Sequence, residues 1–172
     1  MTKTLVLGGA RSGKSAHAEG LVGEHALYLA TARRIEGDAE WDARIAAHVA
    51  RRPAAWTCAE TPDTASLVDA LASADRPVLV DDVATWLTGA MDDAGAWDGG
   101  VDLSAERAAL VAAVAACAMP VTVVSAEVGL GVVPATRSGR LFRDELGAVN
   151  ASLAEVCTDV LLLVAGLPLR LK

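Results

Sequence analysis

Residues 8–15 read GGARSGKS, with Gly8, Gly13, Lys14 and Ser15 at the defining positions of a G-x-x-x-x-G-K-S phosphate loop. The motif constrains the fold because it works only between a strand and the N-terminus of a helix. Both flanks comply: the apolar run TLVL precedes it and the helix-compatible AHAE follows. Glycines at the ends let the backbone through Gly9, Ala10, Arg11 and Ser12 turn its N–H groups inward, so several donors converge on phosphate oxygens. The helix beginning at Lys14 adds its positive dipole end. Lys14 supplies a point charge to the β- and γ-phosphates, and the Ser15 hydroxyl is a ligand for Mg²⁺. The implied ligand is a nucleoside triphosphate, ATP or GTP. Arg11 is either a further phosphate-contacting cation or a solvated turn residue.

A chain of 172 residues has the size of one domain, and we read 1–172 as a single P-loop nucleotide-binding domain. Short β-rich runs at 3–7, 26–30, 78–82, 121–126, 160–164 and 169–171 alternate with helical patterns at 14–22, 38–49, 64–72, 84–91, 105–116 and 141–156. This alternation predicts an α/β fold, a RecA-like P-loop NTPase domain with a mostly parallel central sheet flanked by helices. Several strands are apolar throughout, as expected when helices cover both sheet faces. Asp38 and Ser104 are the expected N-caps, and the Gly/Asp-rich stretch 91–102 reads as a surface loop. Hydrophobic residues make up 53% but aromatics only 3%, so Ala, Val and Leu must supply most of the core.

The longest strongly apolar run, VLLLVA at 160–165, is far too short to cross a bilayer, and no leader pattern opens the chain. We therefore expect a cytoplasmic protein without membrane insertion. A net charge of −7 argues against a nucleic-acid partner. Cys58, Cys117 and Cys157 form no C-x-x-C pair and are read as small buried apolar filler. The cluster Arg33, Arg34, Arg44, Arg51 and Arg52 is suited to a small phosphorylated ligand.

Phosphoryl transfer needs a second anchor for the metal, usually a carboxylate at a neighbouring strand end. PVLVDDV at 77–83 supplies Asp81 and Asp82. Alternation sends the two side chains to opposite faces, so one of them is expected to serve, and Asp81 is favoured. In DAEWDARIAAHVARR, Trp41, Arg44, Ile45 and His48 share one helical face. That spacing alone suits a packed core histidine better than a catalyst.

Taken together, GGARSGKSAHAE, YLATA, ARIAAHVARRPAAW, the Ala59–Glu60 pair, SAEVGLGVVP, RLFRDELGAVNASLAE and the closing AGLPLRLK resemble the adenosylcobinamide kinase/adenosylcobinamide-phosphate guanylyltransferase family of cobalamin synthesis. The resemblance implies two steps: phosphorylation of adenosylcobinamide by ATP or GTP, then transfer of GMP from GTP to adenosylcobinamide phosphate. It maps the family's GMP-carrying histidine onto His48, with Lys14 as the other catalytic residue. Neutral imidazole suits that role as a nucleophile near pH 7.

The resemblance also implies nucleotide contacts from Thr31, Ala32, Arg33, Val49, Ala50, Arg51, Arg52, Glu60 and Asp81, and a metal shell of Ser15, Asp81 and Glu127. A homotrimer goes with it. Asp81 stands where the family commonly has glutamate, and Ala126 where it often has asparagine. Residues 128–134 with Arg137, Arg140 and Arg143 either frame the corrinoid or form a turn and a solvated helical face. Three rival readings remain at this point: a kinase of another small metabolite with a structural His48, a non-enzymatic nucleotide-dependent binding module, and a family member that has kept one activity and lost the other, with Asp81 and Ala126 as the departures that bear on it.

Overall fold

The computed structural model describes residues 1–33 and 37–172, with the backbone alone at Trp41, Arg44, Ala47, His48 and Arg51. The sequence pattern resolves into strands β1 (Lys3–Gly8), β2 (Leu27–Ala30), β3 (Thr57–Glu60), β4 (Val78–Asp81), β5 (Val121–Ala126), β6 (Asp159–Val164) and β7 (Leu167–Arg170). The helices are α1 (Lys14–Leu21), α2 (Ala39–Arg51), α3 (Thr64–Ala72), α4 (Val83–Ala94), α5 (Ser104–Ala116) and α6 (Arg137–Val156). The strands form one sheet in the order β3-β2-β4-β5-β1-β6-β7, parallel except for the antiparallel β6–β7 pair. This is the expected α/β architecture of a P-loop NTPase-like fold.

The uniformly apolar strands make sense once their alternation is assigned to two cores. Leu5, Leu7, Val78, Val80, Val121 and Val123 face a larger core shared with Leu67, Trp86, Leu110, Leu146 and Leu153 of α3, α4, α5 and α6. Val6, Leu79, Val124 and Leu163 face a smaller core with Ala18 of α1 and with Tyr28. Burying a Leu or Val side chain contributes about 1.5–3 kcal/mol, so β1, β4 and β5 each stabilise both layers.

Four expectations need correction. Residues 91–102 are not a plain surface loop: α4 runs on to Ala94, a 3-10 turn spans Ala96–Asp98, and Met91, Ala96 and Leu103 are buried. Trp97 stacks on Phe142 of α6 with ring centroids 6.2 Å apart, which pins the segment to the core. Ser104 is the first residue of α5 rather than its cap, and the Asp102 carboxylate accepts its N–H at 2.9 Å. Cys117 and Cys157 are buried as expected, but Cys58 is exposed. Finally, strand β3 has no counterpart in the sequence reading: it is a four-residue edge strand with three exposed positions, so it carries no apolar signature. Asp38 does lie at the entrance of α2, where its carbonyl accepts the Asp42 N–H at 3.0 Å.

Candidate active site

β1, β4 and β5 all end at one edge of the sheet, and the glycine loop leaves β1 there. Gly13 turns the chain into α1 with φ +89°, a left-handed conformation that favours glycine. α1 carries no acidic residue in its first turn, so nothing of its own offsets the positive end of its dipole. Gly8 is required for a different reason: a Cβ there would overlap the Ser12 hydroxyl and lie 3.2 Å from the Leu163 carbonyl. The loop is braced from outside, because the Gly166 N–H in the β6–β7 turn donates to the Ser12 carbonyl at 3.0 Å. The Ser12 hydroxyl is buried and has no protein partner among the described residues.

Beneath the loop lies Asp81, with 9% of its surface exposed. Its Oδ1 accepts the Ser15 hydroxyl at 3.3 Å and its Oδ2 accepts the Tyr28 hydroxyl at 2.7 Å. Burial, then the Asp81 charge, holds the Tyr28 phenol far above its ordinary range, so it stays a protonated donor. Asp82 is not part of the strand. It caps α4 by accepting the Thr85 N–H at 2.8 Å, and desolvation followed by the Asp81 charge raises its carboxyl pKa. Strand alternation therefore does not separate the two acids, and both line the same cleft.

That cleft has a volume of about 700 Å³. The loop contributes Ala10, Arg11, Ser12, Gly13, Lys14 and Ser15, and strand ends add Ala32, Glu60 and Asp81. Ile45, Val49 and Arg52 come from α2 and the residue that follows it. Other expected residues take supporting positions. Gly8 and Gly9 form the loop's root, and the buried Thr31 donates to the Asp82 carbonyl at 2.7 Å, tying the end of β2 to β4. Arg33 turns toward α4, where it pairs with Asp93 and donates to the Pro62 carbonyl at 2.8 Å. Ala50 is exposed. The Glu127 carboxylate accepts the Gly129 N–H at 2.9 Å, while its own N–H donates to the Gly8 carbonyl at 3.1 Å. The side chains of His48, Arg44 and Arg51, and all of Arg34, lie outside the described residues.

Sequence reasoning missed Tyr28 and Cys58, both in the cleft lining. The available signal for Tyr28 was its isolation: it is the chain's one tyrosine, a polar tip inside the apolar strand LYLA. For a metal, the structure offers the Ser15 and Asp81 oxygens. Among the described residues no group of three or more His, Cys, Asp or Glu gathers into a cage. A sparse, all-oxygen donor set suits Mg²⁺, which keeps waters and substrate oxygens in most of its positions.

A strand, a glycine loop, a helix N-terminus and an acid one strand removed from the loop define a P-loop nucleotide-binding enzyme fold. The family model described as "Cobinamide kinase / cobinamide phosphate guanyltransferase" matches residues 4–171, and this chain belongs to that family. The chain is 43% identical over 176 residues to the "Bifunctional adenosylcobalamin biosynthesis protein CobP" of Pseudomonas aeruginosa, covering 99% of this chain and 97% of the relative. It is 38% identical over 180 residues to the "Bifunctional adenosylcobalamin biosynthesis protein CobU" of Escherichia coli, covering 98% of each. The protein is accordingly an enzyme that uses nucleotide substrates. Among the described residues no helix is long and apolar enough to cross a membrane.

Proposed function

We propose that the enzyme phosphorylates adenosylcobinamide with ATP or GTP, then moves GMP from GTP onto the new phosphate by way of His48. In the first step the acceptor hydroxyl oxygen attacks the γ-phosphorus, the β–γ bridging bond breaks, and the nucleoside diphosphate leaves. In the second, a His48 ring nitrogen attacks the α-phosphorus of GTP and pyrophosphate leaves. An oxygen of adenosylcobinamide phosphate then displaces the imidazole, giving adenosylcobinamide-GDP and restoring the histidine.

The observation that carries this reading is the shared cleft. Its lining brings Lys14 and Ser15 of the loop and Asp81 of β4 together with Glu40, Ile45 and Val49 of α2, the helix that contains His48. Lys14 and the loop N–H groups grip the phosphates, and Arg52 adds a cation from the α2 side. Ser15 and Asp81 would hold Mg²⁺, which when bound neutralises charge on the transferring phosphate. Glu127, whose N–H donates to the Gly8 carbonyl at the root of the loop, would orient either Mg²⁺ or the acceptor hydroxyl. A cytoplasmic homotrimer is the assembly that accompanies this reading.

The test is incubation with Mg²⁺ and GTP labelled on the α-phosphorus, followed by intact mass measurement. We expect an acid-labile, base-stable GMP adduct that is absent from His48→Ala, while that variant still phosphorylates the acceptor. No adduct despite intact GTP binding would reduce the enzyme to a kinase.

A further inference from the structure

Tyr28 has no part in the chemistry above, yet it occupies the junction of the two cleft walls. Its ring is buried, with 2% exposed. The Tyr28 and Ser15 hydroxyls donate to different oxygens of Asp81, so the carboxylate is held from both ends. One donor leaves a carboxylate free to turn about its χ2 bond; two donors on separate oxygens set that angle. The other face of the junction is built just past the end of α2: the guanidinium carbon of Arg52, the residue that follows the helix, lies 3.5 Å from the Tyr28 ring centroid. Arg52 also donates to Cys58 Sγ at 3.2 Å, while its Nε is buried with no partner among the described residues. Trp56 completes the setting, with its ring centroid 6.3 Å from that of Tyr28.

A buried phenol needs some hydrogen-bond partner, and many sites would satisfy it. Here the partner is the acid that, on the reading above, receives the metal, and the ring's polar neighbour, Arg52, directly follows the histidine-bearing helix. We infer that Tyr28 is a positioning residue: its hydroxyl fixes the Asp81 carboxylate for the divalent cation, and Arg52 on its ring couples that carboxylate to α2. This inference rests on the proposed metal role of Asp81.

The experiment measures GTP affinity calorimetrically, with Mg²⁺ and with chelator, for the parent, Tyr28→Phe and Asp81→Asn. The ratio of the two affinities isolates the metal's contribution from the grip of the loop. Tyr28→Phe keeps the ring and its stacking, and is expected to lower that ratio roughly tenfold, the scale of one hydrogen bond to a charged group. Metal-free affinity should stay within about twofold, because Lys14 and the loop are untouched. An unchanged ratio in Tyr28→Phe, with Asp81→Asn losing it, would overturn the inference and leave the metal site standing. An unchanged ratio in Asp81→Asn would remove the metal reading and this inference with it.

A second measurement needs no substitution. Because Tyr28 is the chain's one tyrosine, 3-fluorotyrosine labels it alone. Its fluorine resonance should move when Mg²⁺ is added to the GTP complex and stay still when Mg²⁺ is added to the Asp81→Asn complex. A resonance indifferent to Mg²⁺ in the parent would count against the coupling.

Discussion

Gly8 shows how little tolerance the site has for a single added carbon. A methyl group there would force the Ser12 hydroxyl aside and still lie 3.1 Å from the Ser12 Cβ and 3.2 Å from the Leu163 backbone carbonyl, neither of which retreats without moving the chain. Gly8→Ala is expected to weaken GTP binding about tenfold or more by displacing the loop backbone, with helix content unchanged by circular dichroism. Gly8, Lys14 and Ser15 were legible in the sequence because one short motif fixes their spacing, and the position of Asp81 near Ser15 because it closes an apolar strand whose end faces the loop. Tyr28 was not legible. It meets Asp81 only through the β2–β4 register, which pairs Ala30 with Asp81, and no local pattern encodes that pairing. Asp82 was misassigned for a related reason: alternation describes a strand, and the chain leaves the strand at Asp81 to begin a helix.

Among the elements, the β6–β7 hairpin has an outsized role for its exposure. Every residue of β7 is exposed, yet its turn reaches the phosphate loop through Gly166. The turn uses left-handed backbone at Ala165 (φ +51°) and Gly166 (φ +80°), the second affordable only to glycine without strain. Gly166→Ala should cost about 1–2 kcal/mol of stability through that strain alone, since an added Cβ meets nothing nearby. Shifted melting together with weaker GTP binding would show that the hairpin shapes the loop; shifted melting alone would confine it to stability. The last strand was foreseen at 169–171 but starts two residues earlier, because the turn is confined to Ala165 and Gly166, whereas residues 91–102 were misread because their glycines and aspartates suggested solvent. The burial of Met91, Ala96 and Leu103 follows from the Trp97–Phe142 stack, a contact 45 positions apart that composition does not reveal.

At the scale of the whole molecule, two cores on one sheet make global stability sensitive to a few buried titratable groups. Cys157, at the end of α6, has its thiol pushed up to about 11 by burial. Between its ordinary value of 9.0 and about 11 the unfolded chain loses this proton while the folded chain keeps it. Folding stability must therefore fall as pH rises through that window, and the group contributes no pH dependence below it. Denaturant unfolding at several pH values from 8 to 11 should show a shallower alkaline decline in Cys157→Ala than in the parent, whatever the packing cost of the substitution. The fold class was readable at this scale because a phosphate loop demands parallel strands, but the order of the strands was not. That order has a consequence for the growing chain. β1 lies between β5 and β6, pairing Thr4 with both Thr122 and Asp159, and Gly166 braces Ser12. A ribosome that has released the glycine loop has thus made the motif but not the pocket, and a nascent chain acquires its grip on nucleotide only after some 150 further residues have emerged.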